Sequence, residues 1–532
     1  MDSAMDLDGA TPPKCFIKEL PLEVILRITH SLKTEELGNF RLTCRGIETL
    51  LHNSFAGEFF SCKQFMISNF SLQTLVDISK SRMGRHLTKL QIGFEQFMPP
   101  HSIFAHTVQM RAREYRMKDI QDIVFHPSRT AKLYGNQCAL WSSGAANEML
   151  TEALRNLENL EDIVLRDCNS KRRSRDWPAN EWRSYGIITA LREAGALVSL
   201  GSQSSSYQFA NIADQIFTLV LHALGRANVK PKGIEIICRH SCHLSDYTFA
   251  LPQYSVPIVV PVIENLAKLH ITVDGIEGSP DDIKNAETLF EKFIFHAKNL
   301  QDLRINGPTG RKGSLRPFLK CLGNTAPNPA GQDNTAPNPA GQDDMASDPA
   351  GQDNTAPDPA GQDNTAPDPA GQSIIQLPKL KVLSLGFMDS ESELYLGVIK
   401  KFAPTLETLE LWKVTMRQSA ELRESRIDLP DDDVAACRHF CKELLGIPDL
   451  NLHQLSIGCM AEVDHRNAVT PLSIHIDRKS QVKYIGIDWR HFLRALIPTL
   501  CLVPGTEQSR QAEDIFHGGD DTQDSESEDE DD

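Results

Sequence analysis

One phrase recurs through most of this chain and restricts what it can fold into: leucine, two residues, an apolar residue, one residue, an apolar residue. It stands as Leu87-Leu90-Ile92, Leu160-Ile163-Leu165, Leu266-Leu269-Ile271 and Leu300-Leu303-Ile305. It returns as Leu380-Leu383-Leu385, Leu406-Leu409-Leu411 and Leu452-Leu455-Ile457. Alternate residues of a strand face one side, so each phrase reads as a short strand with one apolar face. Helix-spaced apolar residues precede several copies: Leu150, Ala153, Leu154 and Leu157 the second, Leu289, Phe290, Phe293, Ile294 and Ala297 the fourth, and Leu394, Val398, Ile399 and Phe402 the sixth. A helix followed by a strand cannot bury its apolar face alone. Repeated, such units must stack on one another, and the expected fold class is α/β with a solenoid body.

The phrase is the strand signature of a leucine-rich repeat. The spacing is irregular: 26 residues separate 385 from 411 and 34 separate 271 from 305, while 165 to 271 leaves room for degenerate units, one ending near Ile236. A divergent leucine-rich-repeat-like domain is therefore expected over 61–505. Residues 324–372 interrupt it with a tandem decapeptide built on NTAPDPAGQD. Paired prolines, a glycine and almost no large apolar side chain leave that segment without means to form a core, and it is expected to be disordered. Loop-closure cost grows only logarithmically with length, so the solenoid tolerates such an insert. Near the end, PLSIHID and SQVKYIGIDW alternate around Asp477–Ser480 and predict a hairpin.

The net charge of −16 belongs to two segments. Eight Asp lie in 324–372 and eleven Asp and Glu in 511–532; removing these from the 71 acids leaves 52 against 55 bases. A near-neutral body argues against a nucleic-acid partner, whose basic footprint would dominate. The tail over 506–532 reads as acidic and disordered, and 1–13 as a flexible leader. Residues 1–14 have no basic and apolar signal pattern, so the twelve cysteines are expected as reduced thiols in a cytoplasmic or nuclear protein. The most apolar run, Val256 to Ile263, is short and broken by Pro257 and Pro261, and no membrane span is expected.

The N-terminal segment reads as three short helices over 14–60. Pro21 suits a first helical position, Thr34 a cap, and Cys44, Ile47, Leu50, Leu51 and Phe55 form one stripe. The stretch IKELPLEVILRITHSLKTEELGNFRLTCRGIETL closely resembles the F-box family. The family's spaced elements stand here as Leu20, Pro21, Glu23, Val24, Ile25, Ile28, Leu32, Leu37, Leu42, Cys44 and Arg45. Ile47 takes the place of an aromatic residue that often follows the Cys-Arg pair.

That resemblance covers about 45 residues, and F-box followed by leucine-rich repeats is a common fungal-type arrangement within the family. It implies docking on a Skp-type adaptor and, through it, on a cullin scaffold. The implied adaptor surface is Leu20, Pro21, Ile25, Ile28, Leu37, Leu42, Cys44 and Arg45, with Ile28 and Leu42 the members expected to serve the unit's own core instead. The chain would be a substrate receptor that grips an unidentified protein target on its repeat domain. The alternative is a scaffold that binds the adaptor without directing degradation.

Other constellations point elsewhere. Cys238, His240, Cys242 and His243, and Cys437, His439 and Cys441, have spacings a zinc site permits. Cys437 and Cys441 fall on the apolar stripe of a helix with Val434 and Leu444, where cysteine acts as a small hydrophobe. No metal or cofactor is expected. KRRSR at 171–175 reads as a solvated loop or a phosphate-binding or import patch, and Ser525 and Ser527, each with Glu three residues on, as acidic-kinase sites or a solubilising tail. No nucleophile elbow, phosphate-binding glycine loop or HExxH is present, nor a HECT-type or RING-type pattern, so no catalytic residue is assigned and the chain is not expected to be an enzyme.

Overall fold

A computed structural model describes residues 17, 20–97, 99, 126–168, 184–194, 198–199, 212–239, 242–276, 288–307, 314–324, 375–417, 435–462, 472–476 and 481–503. The leader, most of the decapeptide segment, residues 171–175, His240, the turn 477–480 and the acidic tail lie outside them. Mixed α/β architecture is organised by one large sheet, with fourteen α-helices among the described residues.

Three helices come first: α1 (Leu22–His30), α2 (Thr34–Leu42) and α3 (Arg45–Phe60). Strand β1 (Cys62–Met66), helix α4 (Asn69–Lys80) and β2 (Lys89–Gly93) follow. Next are α5 (Pro127–Ser142), α6 (Ala145–Arg155) and β3 (Asp162–Arg166), then α7 (Ile187–Ala194), α8 (Ile212–Ala227) and β4 (Gly233–Ile237). The alternation continues with α9 (Val256–Asn265), β5 (Lys268–Thr272), α10 (Leu289–Phe295), β6 (Asp302–Asn306), α11 (Arg316–Gly323) and β7 (Val382–Gly386). It closes with α12 (Ser392–Phe402), β8 (Thr408–Trp412), α13 (Ala435–Leu445), β9 (Gln454–Gly458), β10 (Gln481–Ile485) and α14 (Trp489–Leu496).

Strands β1 to β10 form one sheet in strict chain order, parallel from β1 to β9, with β10 antiparallel at the edge. All seven leucine phrases sit on strands β2, β3 and β5 to β9. The second and fourth residues of each strand lie in register, so Leu269, Leu303, Leu383, Leu409 and Leu455 form one buried row and Ile271, Ile305, Leu385, Leu411 and Ile457 the next. Ile236 belongs to β4, and β1 adds a strand at Phe65 that the leucine pattern does not announce. One main apolar core runs between this sheet face and the helices, carrying Phe217, Phe249, Phe290, Phe293 and Phe318 across successive units. Phe249 meets Phe290 at 5.0 Å and Phe293 at 5.2 Å between ring centroids, both edge-on, the favoured aromatic geometry.

Two acids, Asp246 half-buried and Glu462 buried, tie the units together at helix starts. Asp246 accepts from the Leu289 and Phe290 N–H groups (2.9 and 3.2 Å), and Glu462 from Ala436 and Cys437 (2.9 and 3.2 Å). These groups have no partner within their own helices, and a carboxylate there also suits the helix dipole. Burial pushes Asp246 above its ordinary range, opposed by those two backbone bonds.

One expectation fails. Leu472–Ile476 and Gln481–Ile485 are both strands but not a hairpin. The first pairs with 461–462 and 500–503 in a separate five-stranded sheet, while the second closes the main sheet against β9. Alternation sets a strand's two faces but carries no information about its neighbour.

The connectors between helix and strand are short: six residues before β3 and β6, five before β8 and eight before β9. Deleting 324–372 leaves nine residues between α11 and β7, and β6 and β7 pair at all five positions without the insert. We expect the deletion variant to unfold within about 4 °C of the full chain by calorimetry, a shift no larger than a surface change produces. A larger drop would make the decapeptides part of the folded body.

Candidate functional site

The three N-terminal helices pack around their own small core of Ile25, Leu37, Ile47, Leu51 and Phe59, a cluster separate from the main one. Ile47, standing where an aromatic residue was expected, is buried in that core. The candidate docking residues divide by helical geometry. Ile25 (0% exposed) and Leu37 (3%) are interior, so they support the unit instead of lining its surface. Ile28 (43%) and Leu42 (77%), expected in the core, are exposed. Residues three apart sit some 60° away from one another on a helix, so Ile28 turns out beside Val24 while Ile25 shares the inner stripe with Thr29. Leu42 ends α2, beyond the last turn that α3 covers. Pro21 and Arg45 are exposed, and Leu20 and Cys44 half-buried. Leu22, Val24 and Leu50 are also exposed, so five large apolar side chains of this unit (Leu22, Val24, Ile28, Leu42 and Leu50) face outward.

A polar joint fixes the unit to the sheet. Glu48 of α3 pairs with Arg82, which follows α4, and lies 3.6 Å from Arg41; Arg41 stacks over Phe55 at 3.8 Å. His52 meets His86 edge-on at 5.7 Å, and burial, followed by Arg82, pulls the His52 pKa below its ordinary range.

The second candidate surface is the sheet face opposite the core, made of the first, third and fifth residues of each strand. Several of its charges are paired across strands, two of the pairs reaching over the strand between. Lys268 lies 2.6 Å from Glu235 and 3.3 Å from Asp162, His270 lies 2.9 Å from Asp302, and Arg304 lies 3.6 Å from Glu410. Burial pulls Lys268 down, but Glu235 and Asp162 outweigh it and hold the amine above its ordinary range. Glu410 also accepts from the Ser384 hydroxyl (3.1 Å) and the Gln454 amide (3.2 Å), so it organises three strands. Ser384 is itself buried, and Lys381 and Glu407 form an exposed pair at 2.9 Å on the rim. An open groove along that rim is bounded by Lys379, Lys381, Glu407, Asn451 and His453.

A third polar cluster escaped the sequence. Glu95, just after β2, is 2% exposed; its Oε1 accepts from the Ser184 hydroxyl (2.7 Å) and the Gln64 amide (3.4 Å), and its Oε2 has no partner. Among the paired cysteines, Cys437 and Cys441 are buried in α13, and burial pushes the Cys441 thiol up to about 12. Among the described residues, no group of three His, Cys, Asp or Glu is placed to hold a metal ion.

Glu410→Ala strips an acceptor from Ser384, Gln454 and Arg304 together, and its cost is expected at roughly 1–3 kcal/mol, the range for leaving buried donors unpaired. Lys381→Ala removes one exposed ion pair and is expected to cost under about 0.5 kcal/mol. Urea midpoints of the two variants are the measurement; equal midpoints would mean Glu410 organises nothing.

No helix among the described residues is long and apolar enough to cross a membrane. No protein-family model matches the chain, and no curated protein matches it.

Proposed function

We propose that the chain is the substrate receptor of a Skp–cullin–F-box ubiquitin ligase. Residues 20–60 act as an F-box that docks on a Skp-type adaptor, and the β1–β10 body acts as a divergent leucine-rich-repeat domain that holds the protein target. One observation carries the first half: a small helical unit with a closed core still turns Leu22, Val24, Ile28, Leu42 and Leu50 to solvent. An apolar surface that a unit this small cannot cover itself is suited to a partner's helical groove. The motif residues Leu20, Pro21, Cys44 and Arg45 border it.

The second half is supported by the sheet. The side away from the core carries mainly polar residues along strands in register, several of them buried, and stacked repeats offer such a face to a macromolecule. The chain itself supplies no catalytic group in this reading. It raises the local concentration of its cargo near a charged conjugating enzyme held by the partners, so the rate gain is one of proximity. The adaptor leads to the cullin scaffold; nucleic acid and membrane have no part.

Ile28→Asp and Leu42→Asp test the docking face without touching the core. Each is expected to weaken binding to a purified Skp-type adaptor at least tenfold by titration calorimetry, about 1.4 kcal/mol, with the thermal midpoint of the chain unchanged. Full affinity in both variants would remove the adaptor from this surface. Purification with and without proteasome inhibition separates receptor from scaffold, because only a receptor's cargo accumulates when degradation stops.

A further inference from the structure

We propose that Glu95 is a pH-sensitive latch that fastens residues 184–194 across the outer edge of β1. β1 pairs with β2 on one side only. On its other side, Tyr185 donates its N–H to the Gln64 carbonyl (2.9 Å) and makes a parallel bridge with Phe65. α7 then lays Ile187, Ala190 and Ala194 against Met66 and Phe97, in a small core separate from the main one. The far end of this strap is held by α5: His126 N–H and Thr130 Oγ1 donate to the Ala194 carbonyl (3.0 and 3.1 Å). At the near end, one side-chain cluster adds to the Tyr185 backbone link. Ser184 Oγ donates to Glu95 Oε1 (2.7 Å) and accepts from Gln64 Nε2 (2.9 Å).

That clasp depends on the charge of Glu95. The groups facing it are Gln64 from β1, Arg166, Asp167 and Cys168 from the end of β3, and Ser184 from the strap; Arg239, after β4, binds Asp167 through its N–H (2.7 Å). Burial pushes the Glu95 carboxyl up to about 7, with the Ser184 bond, a bond from its own backbone N–H and Arg166 holding it down and Asp167 adding to the rise. Below that pH the carboxyl is neutral and its burial costs little. Above it, a charge sits in a closed site with Oε2 unmatched, and lifting the strap lets water reach it. With the strap open the group returns toward its ordinary value of 4.5. The closed form therefore binds more protons between 4.5 and about 7; its advantage falls as pH rises through that window and levels off above it. Release uncovers the Gln64 carbonyl and frees the stacked pair Phe70 and Tyr185, so a closed strand edge becomes an open one.

Hydrogen exchange of the full-length protein, read on the Tyr185 amide at pH 5.5 and 8.0 and corrected for intrinsic rates, tests this. The opening constant is expected to rise at least tenfold in the wild type and to stay flat in Glu95→Gln, with the β5 and β6 amides as a folding control in both. Ser184→Ala, which loses the bond favouring the ionised form, is expected to move the levelling-off to higher pH. A flat wild-type profile, a Glu95→Gln profile with the wild-type slope, or an unmoved Ser184→Ala profile would each overturn the latch.

Discussion

The structure depends on a line of backbone carbonyls that each accept two N–H groups from the next strand. Ser61, Thr88, Glu161, Lys232, Ala267, Gln301, Lys381 and Glu407 each receive the residue before a strand and the strand's first residue, at 2.7–3.2 Å, and His453 ends the line by accepting from Gly486. This shared acceptor sets the start of each parallel strand from β2 to β9, and with it the register. A slip of one residue in any strand would turn its leucines to solvent and its charges into the core, so register and core composition enforce each other. The other end of the last units repeats a second device. Phe387, Lys413 and Cys459, directly after β7, β8 and β9, all have φ near +50°, and Phe387 and Lys413 donate to the Trp412 and Gly458 carbonyls. Three non-glycine residues held in a left-handed conformation at one place show that the neighbouring strand fixes the turn, because the side chains alone would not choose it.

From that frame the two candidate surfaces follow. α3 runs directly into β1, with Ser61 as the first double acceptor, so the three-helix unit is aligned with the sheet by the same line of hydrogen bonds. Its core remains separate, and the Glu48 cluster, this backbone link and Lys63 over the Phe60 ring (4.7 Å) join the two. In the proposed receptor reading, this joint sets the distance over which cargo is presented.

Much of the sheet was legible because the leucine phrase reports burial and strand period together. β1 was not, because Lys63 stands where the other parallel strands carry a leucine or isoleucine, with Phe65 as its one apolar inward residue on the fourth row. β4 was only glimpsed through Ile236, since Pro231 stands where the phrase calls for its leading leucine; Gly233 opens the strand where a side chain would collide with Asp162 and Lys268. The division of the N-terminal helices into core and surface was read the wrong way round at Ile28 and Leu42. Both fit the apolar pattern, but a nine-residue helix has few turns to define a stripe, and its packing partners decide which edge is covered. The Glu95 cluster left no trace in the sequence: Gln64, Glu95 and Ser184 are 31 and 89 residues apart along the chain and meet only because β1, β2 and the strap are neighbours.

The charge pattern of the sheet face limits how it can recognise anything. Lys268 is already paired with Glu235 and Asp162, His270 with Asp302 and Arg304 with Glu410, either across adjacent strands or over the strand between. A charged ligand would gain little from groups so matched, and to bind one of them it would first have to break a partly buried pair, which costs more than an exposed pair is worth. Long-range attraction is weak for the same reason, because alternating signs cancel within a Debye length of about 10 Å. Selectivity on this face must therefore rest on the shape of the rim and on hydrogen bonds offered at its exposed edge, where Lys381, Glu407 and His453 stand beside an open groove. The three-helix unit works by the opposite physics, presenting apolar area with few charges to arrange. One chain thus carries a face that any matching groove can bury and a second that only a closely fitting partner can use.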